Sequence, residues 1–190
     1  MSTLTLGGST LASKSGSTLS LDSGVTFPGP GTGADGGHVL QVAYNSSVTQ
    51  AHFSISNGNE ETLLSHTITP SLSSSKVLIE ANLYFGNGNN FGLVIKRGST
   101  VIGGNGLGTS NYRDTEFHVG ADNFTIEGDS YTVTSYSLRF LDAPSTTSAT
   151  TYSIHAKAVI TTAIVYYNRA LYAADYGTGR SNITLTEIAG

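Results

Sequence analysis

Five apolar residues, Val77, Ile79, Ala81, Leu83 and Phe85, take every second position of Lys76–Phe85, with Lys76, Glu80 and Asn82 among the residues of the opposite parity. Strand side chains point alternately to opposite faces, so the segment reads as a strand with one face in a core and the other wetter. The same logic sets Tyr152, Ile154, Ala156, Ala158 and Ile160 against Ser153, His155 and Lys157, and puts Phe91, Leu93 and Ile95 on one face of Phe91–Arg97. Further strands are predicted at His38–Tyr44, Ala51–Ile55, Leu63–Thr69, Tyr131–Leu141, Ala163–Arg169 and Ser181–Ala189, with a weaker one around Thr115–His118. Gly86–Asn90 and Arg97-Gly98-Ser99 supply hairpin turns, because Gly and Asn tolerate positive φ. Gly103–Tyr112 and Leu171–Arg180 read as loops at the ends of a sandwich. Eight or more short strands in roughly 150 residues fit an all-β, antiparallel two-sheet jelly roll, whereas a seven-stranded immunoglobulin-like sandwich needs only about 100.

Composition agrees with that class. Charged residues are 12% of the chain, while Ser and Thr together number 50, so the surface is mostly uncharged and polar. Ten Tyr, seven Phe and 38% apolar residues are enough for a real core, which excludes a disordered chain. The net charge is −4 and the longest basic run is Lys96-Arg97, so no phosphate-backbone footprint is present and nucleic acid is not expected as a partner. The absence of Cys removes disulfides, thiolate metal sites and cysteine nucleophiles together. No basic and apolar leader and no run of 18 apolar residues occurs; the expectation is a protein made in a cytoplasm, with no membrane partner.

The chain opens on a different kind of segment. Residues 1–27 hold two near-copies of one phrase, Thr3-Leu4-Thr5-Leu6 and Thr18-Leu19-Ser20-Leu21, and then run into the Pro/Gly-rich stretch Pro28–Gly37. That stretch breaks regular structure and sets the domain boundary, with 1–36 as an extended N-terminal arm and linker and 37–190 as the sandwich. A two-stranded piece without a second layer is marginal in water, so Leu4, Leu6, Leu11, Leu19, Leu21, Val25 and Phe27 must be covered by something else. The linker favours sister chains together with a docking surface over the chain's own sandwich.

Catalytic and ligand motifs are sparse. His38, His52, His66, His118 and His155 have no metal-ligand spacing, and no metal or cofactor is expected. Gly31–Gly36 matches G-x-G-x-x-G in letters only, because it follows Pro28-Gly29-Pro30 and leads into a strand instead of a helix. No G-x-S-x-G occurs and the acids are scattered: Glu60-Glu61 reads as solvated loop charge and Asp142 as a turn residue, so no enzyme is expected. Two features point to contact surfaces instead. Alternation in Ser181–Gly190 puts Glu187 on the face of Ile183 and Leu185, a conflict that a bulge or strand end near Glu187 removes, as does a polar layer between subunits. Ile183, Leu185, Glu187 and Ile188 are therefore candidates for a subunit interface. Tyr166, Tyr167, Tyr172 and Tyr176 form the densest aromatic cluster and are candidates for glycan or protein contact.

Six phrases in order, Ser15–Phe27, Gly37–Val42, Ile68–Ala81, Lys96–Ser99, Phe140–Tyr152 and Ile183–Gly190, carry a family likeness. The chain resembles the short structural proteins of tailed bacteriophages, cyanophages especially, that end in a trimeric β-sandwich knob. The resemblance implies a virion-surface component made in the host bacterial cytoplasm, a homotrimer whose arm attaches it to the particle. Its partners would be copies of itself and the phage major capsid protein or a tail component, with a host surface glycan as a further one. That family covers capsid decoration proteins and tail-fibre tips. Thirty-six extended residues span only about 120 Å, too short for a fibre shaft, which favours a capsid decoration or cement protein over a receptor-binding tip.

Overall fold

The computed structural model describes residues 2–6, 9–15, 18–21, 37–86, 88, 91–103, 117–119, 131–158, 161–172 and 177–190. The chain divides into two compact units, Met1–Asp35 and Gly36–Gly190. The division lies one residue from the boundary read in the sequence.

The first unit is a sheet of its own. Its strands β1 (Ser2–Leu6), β2 (Ser9–Ser15) and β3 (Thr18–Leu21) pair antiparallel in the order β1-β2-β3. Register aligns Leu4 with Ala12 and Ala12 with Leu21, and in the row two residues on, Ser2 with Lys14 and Lys14 with Leu19. The intervening row is Thr3, Ser13 and Ser20. The segment read as two strands has three, because Ser9–Ser15, poor in apolar residues, lies between the two leucine phrases and pairs with both.

Among the described residues the second unit has eleven strands: β4 (Val39–Ser47), β5 (Ala51–Ile55), β6 (Glu60–Ile68), β7 (Lys76–Phe85), β8 (Phe91–Arg97), β9 (Thr100–Gly103), β10 (Phe117–Val119), β11 (Thr134–Asp142), β12 (Thr150–Ala158), β13 (Ala163–Tyr167) and β14 (Ser181–Ile188). They form two antiparallel sheets packed face to face. One has the order β4-β14-β7 with β11 on the other side of β7, and carries the β13-β5 pair. The other has the order β6-β12-β8, with β9 and β10 sharing the far edge of β8. The pairings nest: β4 with β14, β5 with β13, β6 with β12, β7 with β11 and β8 with β9. A single antiparallel ribbon folded over in this way is a jelly roll, the architecture expected from the strand count.

The core lies between the sheets. Val77, Ile79, Ala81, Leu83 and Phe85 of β7 face Phe91, Leu93 and Ile95 of β8, with Tyr152, Ile154 and Ala156 of β12 and Ile183 and Leu185 of β14, all essentially inaccessible. Phe85 anchors an aromatic group, its ring centroid 5.1 Å from Phe91, 5.7 Å from Tyr136 and 5.9 Å from Tyr167. The hairpin between β8 and β9 turns at Gly98, whose φ of 57° suits glycine.

Two buried polar residues lock opposite ends of the roll. At the end where β4 begins and the chain finishes, Glu187 has 0% exposure. Its carboxylate accepts from Ser75 Oγ (2.6 Å), Gln41 Nε2 (2.6 Å), Ser71 N (2.7 Å) and Ser71 Oγ (3.1 Å). Register shifts between Glu187 and Ile188, but the extra residue, Leu40, lies in β4 and burial alternates unbroken along β14, so the irregularity does not turn Glu187 outward and hydrogen bonds meet the conflict instead. At the far end Asn168 is fully buried with φ 56°, a conformation Asn tolerates. Its Nδ2 donates to the carbonyls of Ser47 (3.1 Å) and Thr49 (3.2 Å), and its Oδ1 accepts from Ser181 Oγ (2.6 Å) and Ser181 N (3.2 Å).

Ile183, Leu185 and Glu187 are thus corrected as interface residues, because side chains with no accessible surface inside one chain cannot meet another. Ile188 alone of the four lies on the outer face of its sheet, half-buried.

Burial by itself would raise the Glu187 pKa, but the hydrogen bonds from Ser75, Gln41 and Ser71 outweigh it and hold the carboxyl below its ordinary 4.5. Glu187→Ala, which strands those donors, should lower the unfolding free energy by about 3 kcal/mol in urea denaturation. A carboxyl with a lowered folded pKa stabilises fully above 4.5, and the contribution disappears as pH falls through the folded value. The stability gap between wild type and Glu187→Gln should therefore shrink on acidification; a pH-independent gap would contradict the network.

Candidate interaction surface

The outer face of the β4-β14-β7-β11 sheet is set by register into rows running across four strands. Ser46, Asn182, Asn82 and Ser137 form one row, and Tyr44, Thr184, Glu80 and Arg139 the next. Val42, Thr186, Leu78 and Leu141 follow. Beyond them, at the end where the chain enters from the N-terminal unit, stand Val39, Ile188 and Lys76. The face is therefore polar toward the far end and apolar toward the entry end. Val39, Val42 and Leu141 are exposed by 59%, 60% and 50%, while Leu78 and Ile188 are half-buried beside them. Such neighbouring apolar side chains are more than a scatter of single exposures.

The polar half holds a groove of about 580 Å³ floored by Glu80, Asn82, Ser137, Arg139, Asn182 and Thr184. Arg139 Nε donates to Glu80 Oε1 at 2.9 Å, and Nη2 contacts the same oxygen. Ser137 Oγ donates to Asn82 Oδ1. One strand further out, in the row of Thr184, Tyr44 is 57% exposed.

The other sheet brings together a second polar group on its outer side. Ser153 Oγ is 2.8 Å from His155 Nε2 and Thr62 Oγ1 is 3.2 Å from His155 Nδ1. Glu60 forms an ion pair with Lys96, and its Oε1 is 3.9 Å from His155 Nδ1. Burial first, and the Lys96 charge second, push the His155 pKa down to about 4. The carboxylate 3.9 Å away does not reverse this, since it is already engaged by Lys96. Ser153 is 8% exposed, and His155 and Glu60 are half-buried beside it, so the group forms a polar patch largely withdrawn from solvent.

Several sequence readings change here. Glu60, read as solvated loop charge, begins β6 and forms an ion pair with Lys96 of β8, across the intervening strand β12. Asp142, read as a turn residue, ends β11 and accepts from Arg97 Nη1 (3.0 and 2.9 Å) and Tyr152 OH (2.7 Å). Tyr167 is 2% exposed and belongs to the core, whereas Tyr166 stacks on His52 with centroids 4.6 Å apart and lies under the Arg169 guanidinium. Tyr172, at the far end, is exposed and faces Tyr131, centroids 6.0 Å apart. Tyr176 lies outside the described residues, as do Val25 and Phe27. Leu4, Leu6, Leu11, Leu19 and Leu21 all sit on strands of the N-terminal sheet, with Leu11 at its register shift. Among the described residues no group of three or more His, Cys, Asp or Glu is arranged to hold a metal ion.

No protein-family model matches this chain, and no curated protein does.

His155 should titrate in an NMR pH series with a midpoint near 4. A folded pKa below the ordinary 6.5 means that acidification from 6.5 toward 4 destabilises the fold through this group. A midpoint near 6.5 would show the patch open to solvent.

Proposed function

We propose that the protein is a structural component of a bacteriophage virion, a homotrimeric capsid decoration protein that stabilises the shell and projects its jelly roll outward. The observation that carries the reading is the division of the chain into Met1–Asp35, a three-stranded sheet whose first and third strands are the two leucine phrases, and the sandwich of Gly36–Gly190. A lone three-stranded layer buries little, and a second layer supplied by shell subunits such as the major capsid protein completes it. The mechanism is adhesion. Apolar surface and strand pairing buried between neighbouring shell subunits raise the cost of pulling them apart. The apolar half of the outer face, at the end where the chain enters the roll, supports contact between copies. The likeness of the six sequence phrases to phage knob proteins points the same way.

A second reading, a tail-fibre tip that adheres to host surface polysaccharide, draws on the exposed Tyr131 and Tyr172 at the far end. Both readings describe binding and assembly without catalysis.

Removing residues 1–35 should leave a folded body that no longer cosediments with phage particles, whereas the full chain does; retained binding would end the attachment role. Val42→Asp combined with Leu141→Asp should lower the mass measured by light scattering from that of a trimer toward that of a monomer with little change in Tm. An unchanged trimer would move the subunit contact elsewhere.

A further inference from the structure

We infer that the groove on the polar half of the outer sheet face is a saccharide-binding site. Its volume of about 580 Å³ is that of an ordinary small-ligand cleft. Its floor mixes donors and acceptors on three neighbouring strands, β14, β7 and β11, so their spacing is set by backbone register. Both Arg139 contacts fall on Oε1 of Glu80, which leaves Oε2 as an acceptor, with Nη1 of Arg139 as a donor, toward the groove. Asn82 uses Oδ1 to accept from Ser137, and its amide Nδ2 supplies further donors. The Asn182 amide and the Thr184 hydroxyl, both half-exposed, add groups that can donate and accept.

The chemistry of the ligand follows from this inventory. The one cation and the one anion of the floor are paired with each other, so the groove is close to neutral and is poorly suited to a phosphate or a metal ion. The other buried members of the floor, Ala81 and Leu138, point their side chains into the core and offer the groove little apolar surface. A ligand matching a neutral surface dense in both donors and acceptors carries many hydroxyl groups. Tyr44, exposed beside Thr184, gives an aromatic face for the C–H side of a sugar ring at one edge of the groove. The site adjoins the row of Val42, Thr186, Leu78 and Leu141 and uses neither Tyr172 nor the N-terminal unit.

The test uses the full chain in native affinity electrophoresis through gels containing soluble neutral polysaccharides: dextran, mannan, galactan and laminarin. At least one should retard the protein. Tyr44→Ala and Asn182→Ala should each weaken that retardation about tenfold or more, the loss expected for one good contact, with Tm and light-scattering mass unchanged. Retardation by none of the four, or equal retardation of wild type and both variants, overturns the site. A changed oligomeric mass in either variant overturns it too, because the face would then be a contact between copies.

Discussion

At one end of the jelly roll a carboxylate with no accessible surface is held by hydroxyl, amide and backbone N–H donors, with no cation beside it among the described residues. Those donors come from three places: Gln41 on β4, and Ser71 and Ser75 in the connection between β6 and β7. Glu187 thereby ties the last strand to β4 and to the segment that crosses from one sheet to the other. β14 lies between β4 and β7, so its position sets the register of the whole outer face. An apolar residue at position 187 would fit the alternation but leave the Ser71–Ser75 connection without its acceptor.

The nested pairing gives the fold its character. β4 pairs with β14 and β6 with β12, so the outermost contacts join segments far apart in the chain, and folding must close long loops before those contacts form. Asn168 answers this at the far end, joining the connection after β4 to the segments around Tyr84 and Ser181. With polar locks at both ends and an aromatic group between the sheets, the outer rows are held as a rigid template.

Much of this was legible in the alternation. Ala51–Ile55 and Lys76–Phe85 agree end to end with β5 and β7, because one inward and one wetter face leave an unambiguous period of two; Phe91–Arg97 also coincides with β8, although there Gly92 and Val94 of the opposite parity are buried as well. Parity also exposed Glu187 as a residue in conflict, which is where the structure concentrates its donors. β9 escaped, since four residues bounded by Gly98 and Gly103 carry too few alternations to register. Tyr166 and Tyr167 illustrate a signal that was present and outweighed: adjacent strand residues must face opposite ways, so they could not act as one exposed pair. The groove was out of reach, because Asn82 and Ser137 are 55 residues apart and only the pairing of β7 with β11 makes them neighbours.

Taken together, the molecule combines a three-stranded N-terminal sheet, a jelly roll with its own core, and an outer sheet face split between apolar and polar halves. The proposal that assembly completes the N-terminal sheet rests on the first of these. The most direct test is immunogold electron microscopy of virions with an antibody raised against Gly36–Gly190. Label distributed over the heads is the predicted result, and particles with unlabelled heads would contradict the account.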